Sequence, residues 1–302
     1  MTMSYLEYPK RAYGNDHDLY PWSYSAQREP VRLDDGTKLD AFIVVPLEFF
    51  PLNPSGKPFK HPGAMVTPYP DLRHYTTRDY GLRVGVFRIL KALRAEGLKA
   101  VFPVNAVLLD RVKPLIETIL ADGHEIAAHG VSTDHIHYAG LSEADEEAYI
   151  VETKALFEKH CLSPKVWMSP ARNESYNTPE LLAKHGFTTL LDWEMDQRPV
   201  EMKTAAGSLT CLPNHFELND FNLLITKRQS EDEWEAEISE AARYLLAEYD
   251  RFGSQVFGFT LTPYVSGLPF RIHALKGILK VLAGLEGVRV STASEISANW
   301  SK

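Results

Sequence analysis

The sequence predicts an α/β fold in which repeated strand–helix units build a parallel sheet closed into a barrel. Three observations carry this. Short apolar runs alternate with stretches of helical periodicity from Leu39 to Val290. The links between them are brief and punctuated by Gly or Pro, as β–α crossovers in a parallel sheet require. The strands are also numerous enough to favour closure over an open sheet.

The first strand is Leu39–Val45, which follows the turn Asp34-Asp35-Gly36 and ends at Pro46. Phe49 to Asp79, rich in Pro and Gly, reads as one long loop of the kind that serves as a lid or binding loop. Its aromatic residues Phe49, Phe50, Phe59, Tyr69 and Tyr75 are expected to line that lid or to meet a second subunit. Leu82, Val86, Ile89, Leu90 and Leu93 then recur at helical spacing up to a stop at Gly97, and Ala100–Val104 is the next strand. Val112–Leu120 is a helix stopped by Gly123, and Glu125–Ala128 a strand that ends at His129. Ser142 caps a long helix whose first turn carries Glu143, Asp145 and Glu146, the charges that a helix N-terminus favours. Val166–Met168 is a strand, and Thr178-Pro179-Glu180 opens a helix with Pro at its first position. Strands at Thr188–Leu191 and Leu209–Leu212, a helix over Ser230–Tyr249, a strand at Val256–Leu261, a helix over Phe270–Leu282 and a strand at Val288–Val290 complete the chain.

A chain of 302 residues with 44% hydrophobic content supports one large core, so a single domain over 1–302 is expected. The net charge of −8, with both signs interspersed, argues against nucleic acid and membrane surfaces as partners and leaves a small-molecule substrate. Cys161 and Cys211 stand far apart without metal-type spacing, and Met1–Tyr20 has no apolar run suited to a signal peptide. Both features fit a reducing, cytoplasmic setting.

Chemistry in parallel barrels gathers at the C-terminal ends of strands. Those positions hold Glu48, Asn105, His129, Arg172, Asp192, Asn219 with Asp220, and Thr262. A carboxylate, an imidazole and a guanidinium on one rim supply what amide or ester hydrolysis needs: a base for water, an acid for the leaving group and positive charge for the oxyanion. Taken singly, each is equally explained as a helix cap or a polar rim residue.

Several of these segments resemble a known family. Gly123-His124-Glu125-Ile126-Ala127-Ala128-His129-Gly130 resembles the second motif of the polysaccharide deacetylases, the NodB-homology superfamily. Asp79 to Val86 resembles the segment before the first helix in its metal-independent allantoinase branch and in related cyclic-imide hydrolases. The similarity continues through Ala171-Arg172-Asn173 with Asn177-Thr178, Leu191-Asp192-Trp193, Pro213 with Asn219-Asp220, and Leu261 to Arg271. The resemblance implies a distorted (β/α)7-type barrel, hydrolysis of a non-peptide C–N bond, and assembly into a homo-oligomer.

Metal-dependent members of that family carry two adjacent aspartates after the first strand, a His-x-x-x-His pair in the second motif and a late histidine acid. Here the matching places read Leu47-Glu48-Phe49, His129 followed four residues on by Thr133, and Leu261-Thr262-Pro263. With about one ligand of the usual three retained, no cofactor is expected. The rescue of a divalent (zinc) site would need His129 joined by His135 and His137. The metal-free reading makes Glu48 the base, His129 its partner or the proton donor, and Arg172 an anion clamp, with Asp192 orienting His129 or Arg172. Trp193, Asn219, Asp220 and Thr262 would shape the pocket, and Arg83 would reach it from the helix start. Two alternatives stand beside this reading: a metal-dependent carbohydrate deacetylase, and a catalytically silent barrel that binds a small ligand.

Overall fold

The computed structural model describes residues 17–55, 61, 63, 68 and 70–301. Strand β1 (Leu39–Val44) is buried along its whole length, which is why its sequence is an apolar run rather than an alternating one. Its one charged residue, Asp40, is satisfied by Arg289 Nε at 3.2 Å and Ser291 Oγ at 2.9 Å. Helix α1 (Leu72–Tyr80) and a π-helical turn over Gly81–Gly85 lead into α2 (Val86–Glu96), which ends where Gly97 takes a left-handed φ of 66°. Then come β2 (Val101–Val104), α3 (Lys113–Ala121), β3 (Glu125–Ala128), α4 (Glu143–Lys159) and β4 (Val166–Trp167). Helix α5 (Thr178–Lys184), β5 (Thr189–Leu190), β6 (Val200–Thr204) and β7 (Gly207–Cys211) follow. The chain closes with α6 (Glu231–Ala247), α7 (Tyr249–Phe252), β8 (Gln255–Thr260), α8 (Ile272–Gly284), β9 (Val288–Val290) and α9 (Ala293–Trp300).

Around the sheet the parallel order is β7-β5-β4-β3-β2-β1-β8. A bridge between Asn214, just past β7, and Gly258 of β8 joins the two ends, with His215 N–H donating to Gly258 O at 3.0 Å. This is the distorted (β/α)7-type barrel that the sequence led us to expect. Strand β6 lies outside the ring as an antiparallel hairpin partner of β7, and β9 pairs with the start of β1.

Side chains alternate across the sheet, and the two apolar clusters record that alternation. Ala41 and Ile43 pack with the helices, whereas Phe42 and Val44 join Val101, Ala127, Val166 and Val256 in a second cluster that Ala293 and Ile296 of α9 also enter. Continuing this second register two residues at a time leads from Val44 through Pro46 to Glu48, from Val101 to Asn105, from Ala127 to His129, and from Val256 through Thr260 to Thr262. The period-2 geometry of strands thus lifts those side chains onto one rim.

Three features differ from expectation. Residues 72–79, read as loop, fall in α1, which is capped by Asp71 accepting from His74 N–H at 3.1 Å. It buries no residue, so it has no apolar stripe to betray it. Strand β6 and helix α9 were also missed, each being short. Phe59 and Tyr69 of the expected lid lie outside the described residues. Among the described residues, no helix is long and apolar enough to cross a membrane.

Two contacts fix the segment after β8. A Cβ on Gly85 would lie 2.1 Å from Pro263 O, and one on Gly267 would lie 2.4 Å from the same oxygen, so only glycines allow α2 and this segment to approach so closely. Asp220, fully buried, accepts from Thr262 N–H at 2.7 Å. Burial raises its carboxyl to about 6, with Thr262 only partly offsetting the cost.

Gly85→Ala is expected to destabilise the fold by about 2–3 kcal/mol through overpacking, measurable by urea titration; an unchanged midpoint would refute the close crossing. Asp220 gives a pH signature whose sign follows from its raised value. The folded state binds the extra proton between 3.8 and about 6, so this group's contribution is greatest at low pH and declines as pH rises through that window. Relative to the wild type, Asp220→Asn should gain roughly 3 kcal/mol between pH 3.5 and 7, and parallel stability curves would contradict this.

Candidate active site

The main chain continues past β1 along β2: Leu47 bridges Val104, and Asn105 N–H donates to Leu47 O at 3.0 Å. Asn105, fully buried, then stitches two strand ends together. Its Oδ1 accepts from Phe49 N–H at 2.8 Å while its Nδ2 donates to His129 O. Glu48 and His129 are thereby set side by side, with His129 Nε2 3.7 Å from Glu48 Oε1. A second imidazole, not anticipated from the sequence, completes the group. His61 Nε2 lies 3.2 Å from the same oxygen.

A hydrogen bond on its outer nitrogen fixes the inner nitrogen of His129 as a lone pair. His129 Nδ1 faces Met168 O at 2.7 Å. A carbonyl only accepts, so Nδ1 holds a proton and donates it. In the neutral ring, Nε2 is then a bare lone pair, buried and without a hydrogen-bond partner. His61 Nε2 accepts from Ala171 N–H at 2.9 Å and is likewise a lone-pair atom. Glu48 Oε1, His129 Nε2 and His61 Nε2 thus surround one point, with the His61 lone pair taken by Ala171 N–H. The carboxylate oxygen and the bare His129 nitrogen repel unless a proton, a cation or the hydrogens of a water or substrate lie between them. Burial pushes the Glu48 carboxyl up, but the His61, His129 and Arg78 charges outweigh burial and hold it below its ordinary value.

Ala171 reaches His61 because the turn after β4 is left-handed at two successive residues, with φ 61° at Ala171 and 52° at Arg172. Such conformations cost non-glycine residues about 1–2 kcal/mol each. The same turn swings Arg172 over the rim, where its Nη2 donates to Asp192 O at 2.9 Å. Asp192 therefore holds Arg172 through its backbone carbonyl, not through its carboxylate, and it does not orient His129. Its carboxylate instead accepts from Ser169 N–H at 2.9 and 3.0 Å. Burial raises the Asp192 carboxyl, and burial together with the Asp192 charge pushes the neighbouring Glu174 well above its ordinary range.

Glu48, His61, His129, Arg172 and Tyr264 converge on a cavity of about 190 Å³, walled on its apolar side by Met168, Phe216 and Phe221. Asn219 and Thr262 also line it. The remaining expected positions lie elsewhere. Trp193 donates from its indole to Glu174 at 3.0 Å, Asp220 is clamped beneath the rim on Thr262, and Arg83 opens on an adjoining cavity. His135 and His137 do not join His129: His135 pairs with Ser132 Oγ at 2.8 Å, and His137, fully buried, with Glu146 Oε1 at 3.0 Å. His61 and Tyr264 are among the lining residues that were missed. His61 gave no signal, being one histidine in a long loop. Tyr264 stands two residues beyond Thr262, where the inward register would have found it. Burial and the nearby Glu48 charge push its phenol far above the usual range, so it keeps its proton and serves as a donor.

The donor set resembles that of a divalent-ion site. Among the described residues, Glu48, His61 and His129 form the group whose ligand atoms lie within 4.8 Å of one another. The separations of 3.2 and 3.7 Å bracket the roughly 3.4 Å kept by tetrahedral ligands about 2.1 Å from zinc. The Nδ1–carbonyl bond of His129 is the usual outer support of a metal-binding imidazole. Number and spacing fit an ion, with His61 a ligand only if Ala171 N–H releases its lone pair.

Residues 69–190 match the family model of polysaccharide deacetylase. No curated protein matches the sequence. Among solved structures, a probable polysaccharide deacetylase from Pseudomonas aeruginosa PAO1 has a TM-score of 0.78 at 20% identity, over 97% of this chain and 98% of that one. PuuE allantoinase has a TM-score of 0.79 at 22% identity, over 97% of each chain. A putative polysaccharide deacetylase from Mycobacterium smegmatis has a TM-score of 0.76 at 22% identity, over 94% of this chain and 95% of that one. Residues 69–190 are thus similar to the polysaccharide deacetylases, and the chain shares its distorted (β/α)7-type barrel with these structures over nearly its whole length.

Proposed function

We propose that this chain hydrolyses a non-peptide C–N bond of a small amide, cyclic imide or ureide, using side-chain acid–base chemistry in the cavity around Glu48. One observation carries the reading: His129 is tied at Nδ1 to Met168 O, which turns its buried Nε2 toward the Glu48 carboxylate, 3.7 Å away. A carboxylate and an imidazole side by side on one cavity can act as an acid–base pair. The C–N class follows the motif resemblance, and one of the structures of similar fold is an allantoinase.

In the reaction, Glu48 takes a proton from water as the oxygen attacks the carbonyl carbon. Arg172 and Tyr264 donate hydrogen bonds to the oxyanion that forms. The C–N bond then breaks as His129 Nε2 gives its proton to the leaving nitrogen, and transfer from Glu48 to His129 restores the pair. His61, held by Ala171 N–H, borders the Glu48 carboxylate at 3.2 Å. The setting we assign is cytoplasmic, consistent with the free thiols of Cys161 and Cys211.

The ligand-like spacing around Glu48 favours a second reading, a metal-dependent deacetylase. A divalent ion held by Glu48, His129 and His61 would polarise the substrate carbonyl and lower the pKa of a bound water.

A screen of cyclic imides, hydantoins, ureides and acetylated sugars should reveal turnover of a C–N substrate, reduced about 100-fold or more in Glu48→Gln and in His129→Ala. Undiminished turnover in either variant would overturn the assigned roles. Elemental analysis and chelator treatment separate the two readings: the metal-free one expects full activity after chelation, and a stoichiometric ion whose removal abolishes turnover would replace it with the other. Because Glu48 is held below its ordinary 4.5, its carboxylate form persists above that pH and is lost as pH falls through the lowered value. The acid limb of kcat/KM should therefore lie below about 4.5, and an acid limb near neutrality would contradict this.

A further inference from the structure

Glu48 also lines a second, larger space. A cavity of about 490 Å³ lies beside the reaction cavity, with Glu48, Phe50 and Arg78 in its wall and Arg83 and Arg111 around it. Its charges are unbalanced. Arg83 is paired with Asp79 at 3.2 Å, but among the described residues neither Arg78 nor Arg111 has a carboxylate within ion-pair range. This is notable on a chain of net charge −8, where an unpaired arginine would ordinarily find an acidic neighbour.

Both guanidinium groups are held in place. Arg78 stacks over Phe50 at 5.8 Å and over Tyr264 at 5.1 Å, so it stands between the two cavities. Its Nη1 donates to His74 O at 3.3 Å and its Nη2 to Gly63 O, while its buried Nε has no acceptor. Arg111 lies 4.2 Å over the Phe49 ring. The aromatic residues of the long loop thus serve as platforms for two cations. Leu82, Leu108 and Val112 add an apolar stretch of wall, suited to a short methylene spacer.

From this arrangement we propose that the second cavity binds a carboxylate of the substrate, which is therefore an amide or ureide bearing an acid group a few bonds from the scissile C–N bond. The proposal rests on the reading of Glu48 as the base of C–N hydrolysis. Arg111 is the chief carboxylate partner, by the planar two-point contact that guanidinium offers, and Arg78 adds charge at the wall next to Glu48. Hydrolysis at Glu48 then places the new carboxyl or amine in the smaller cavity while the existing acid stays anchored in the larger one.

The test uses binding, so that it does not depend on turnover. N-carbamoyl-β-alanine and its carboxamide are titrated calorimetrically into Glu48→Gln protein at low salt, with and without Arg111→Gln. The acid should bind about tenfold more tightly than the carboxamide, the scale of one charge-assisted pair. The preference should shrink with added salt, fall to within about twofold in Arg111→Gln, and be partly restored by Arg111→Lys, which also controls for folding. Equal affinity for acid and carboxamide, no binding of either, or a preference that survives Arg111→Gln would overturn the proposal. A preference for the acid without turnover of any such compound by the wild type would instead sink the hydrolase reading and leave the carboxylate site standing.

Discussion

The arrangement of this site depends on a surplus of lone pairs. Met168 O holds the outer nitrogen of His129, which leaves His129 Nε2 facing the Glu48 carboxylate, while Ala171 N–H occupies the lone pair of His61 Nε2 on the other side of that carboxylate. A proton, a cation or the hydrogens of a water or substrate must meet the bare His129 nitrogen, since a buried polar atom left unpaired is costly. The left-handed pair Ala171–Arg172 is part of the same constraint, since the turn that presents Ala171 N–H to His61 also carries Arg172 to the rim.

The barrel supplies the rigidity this requires. Each inward register, continued past an apolar layer, delivers one polar residue to the rim, and the buried Asn105 joins the Glu48 segment to the His129 strand end so that the two cannot drift independently. The segment after β8 is fixed from below by Asp220 and from the side by the Gly85–Gly267 crossing. Such supports matter because acid–base groups must be held within a few tenths of an ångström to act together.

Much of this was legible in the residues. Glu48, His129, Arg172, Asn219 and Thr262 were found by asking only which residues follow strands, because strand-end position and the period-2 register depend on local sequence. What depends on long-range approach was not legible. His61 comes from a loop with no periodicity, and its place beside Glu48 is set by Ala171, 110 positions away in sequence. Asp192 was read as orienting His129 or Arg172; its backbone carbonyl accepts from Arg172, and its carboxylate is taken by Ser169. His135 and His137 look like a metal pair in sequence, yet the loop turns them to Ser132 and to the buried Glu146. Helix α1 escaped because a helix that buries nothing carries no hydrophobic signature.

The most direct test of the site's geometry is the ring-nitrogen spectrum of His129, recorded by ¹⁵N NMR on chelator-treated wild-type protein and on Glu48→Gln. The account predicts a proton on Nδ1, held by Met168 O, in both proteins. A ring protonated at Nε2 with Nδ1 bare would contradict it.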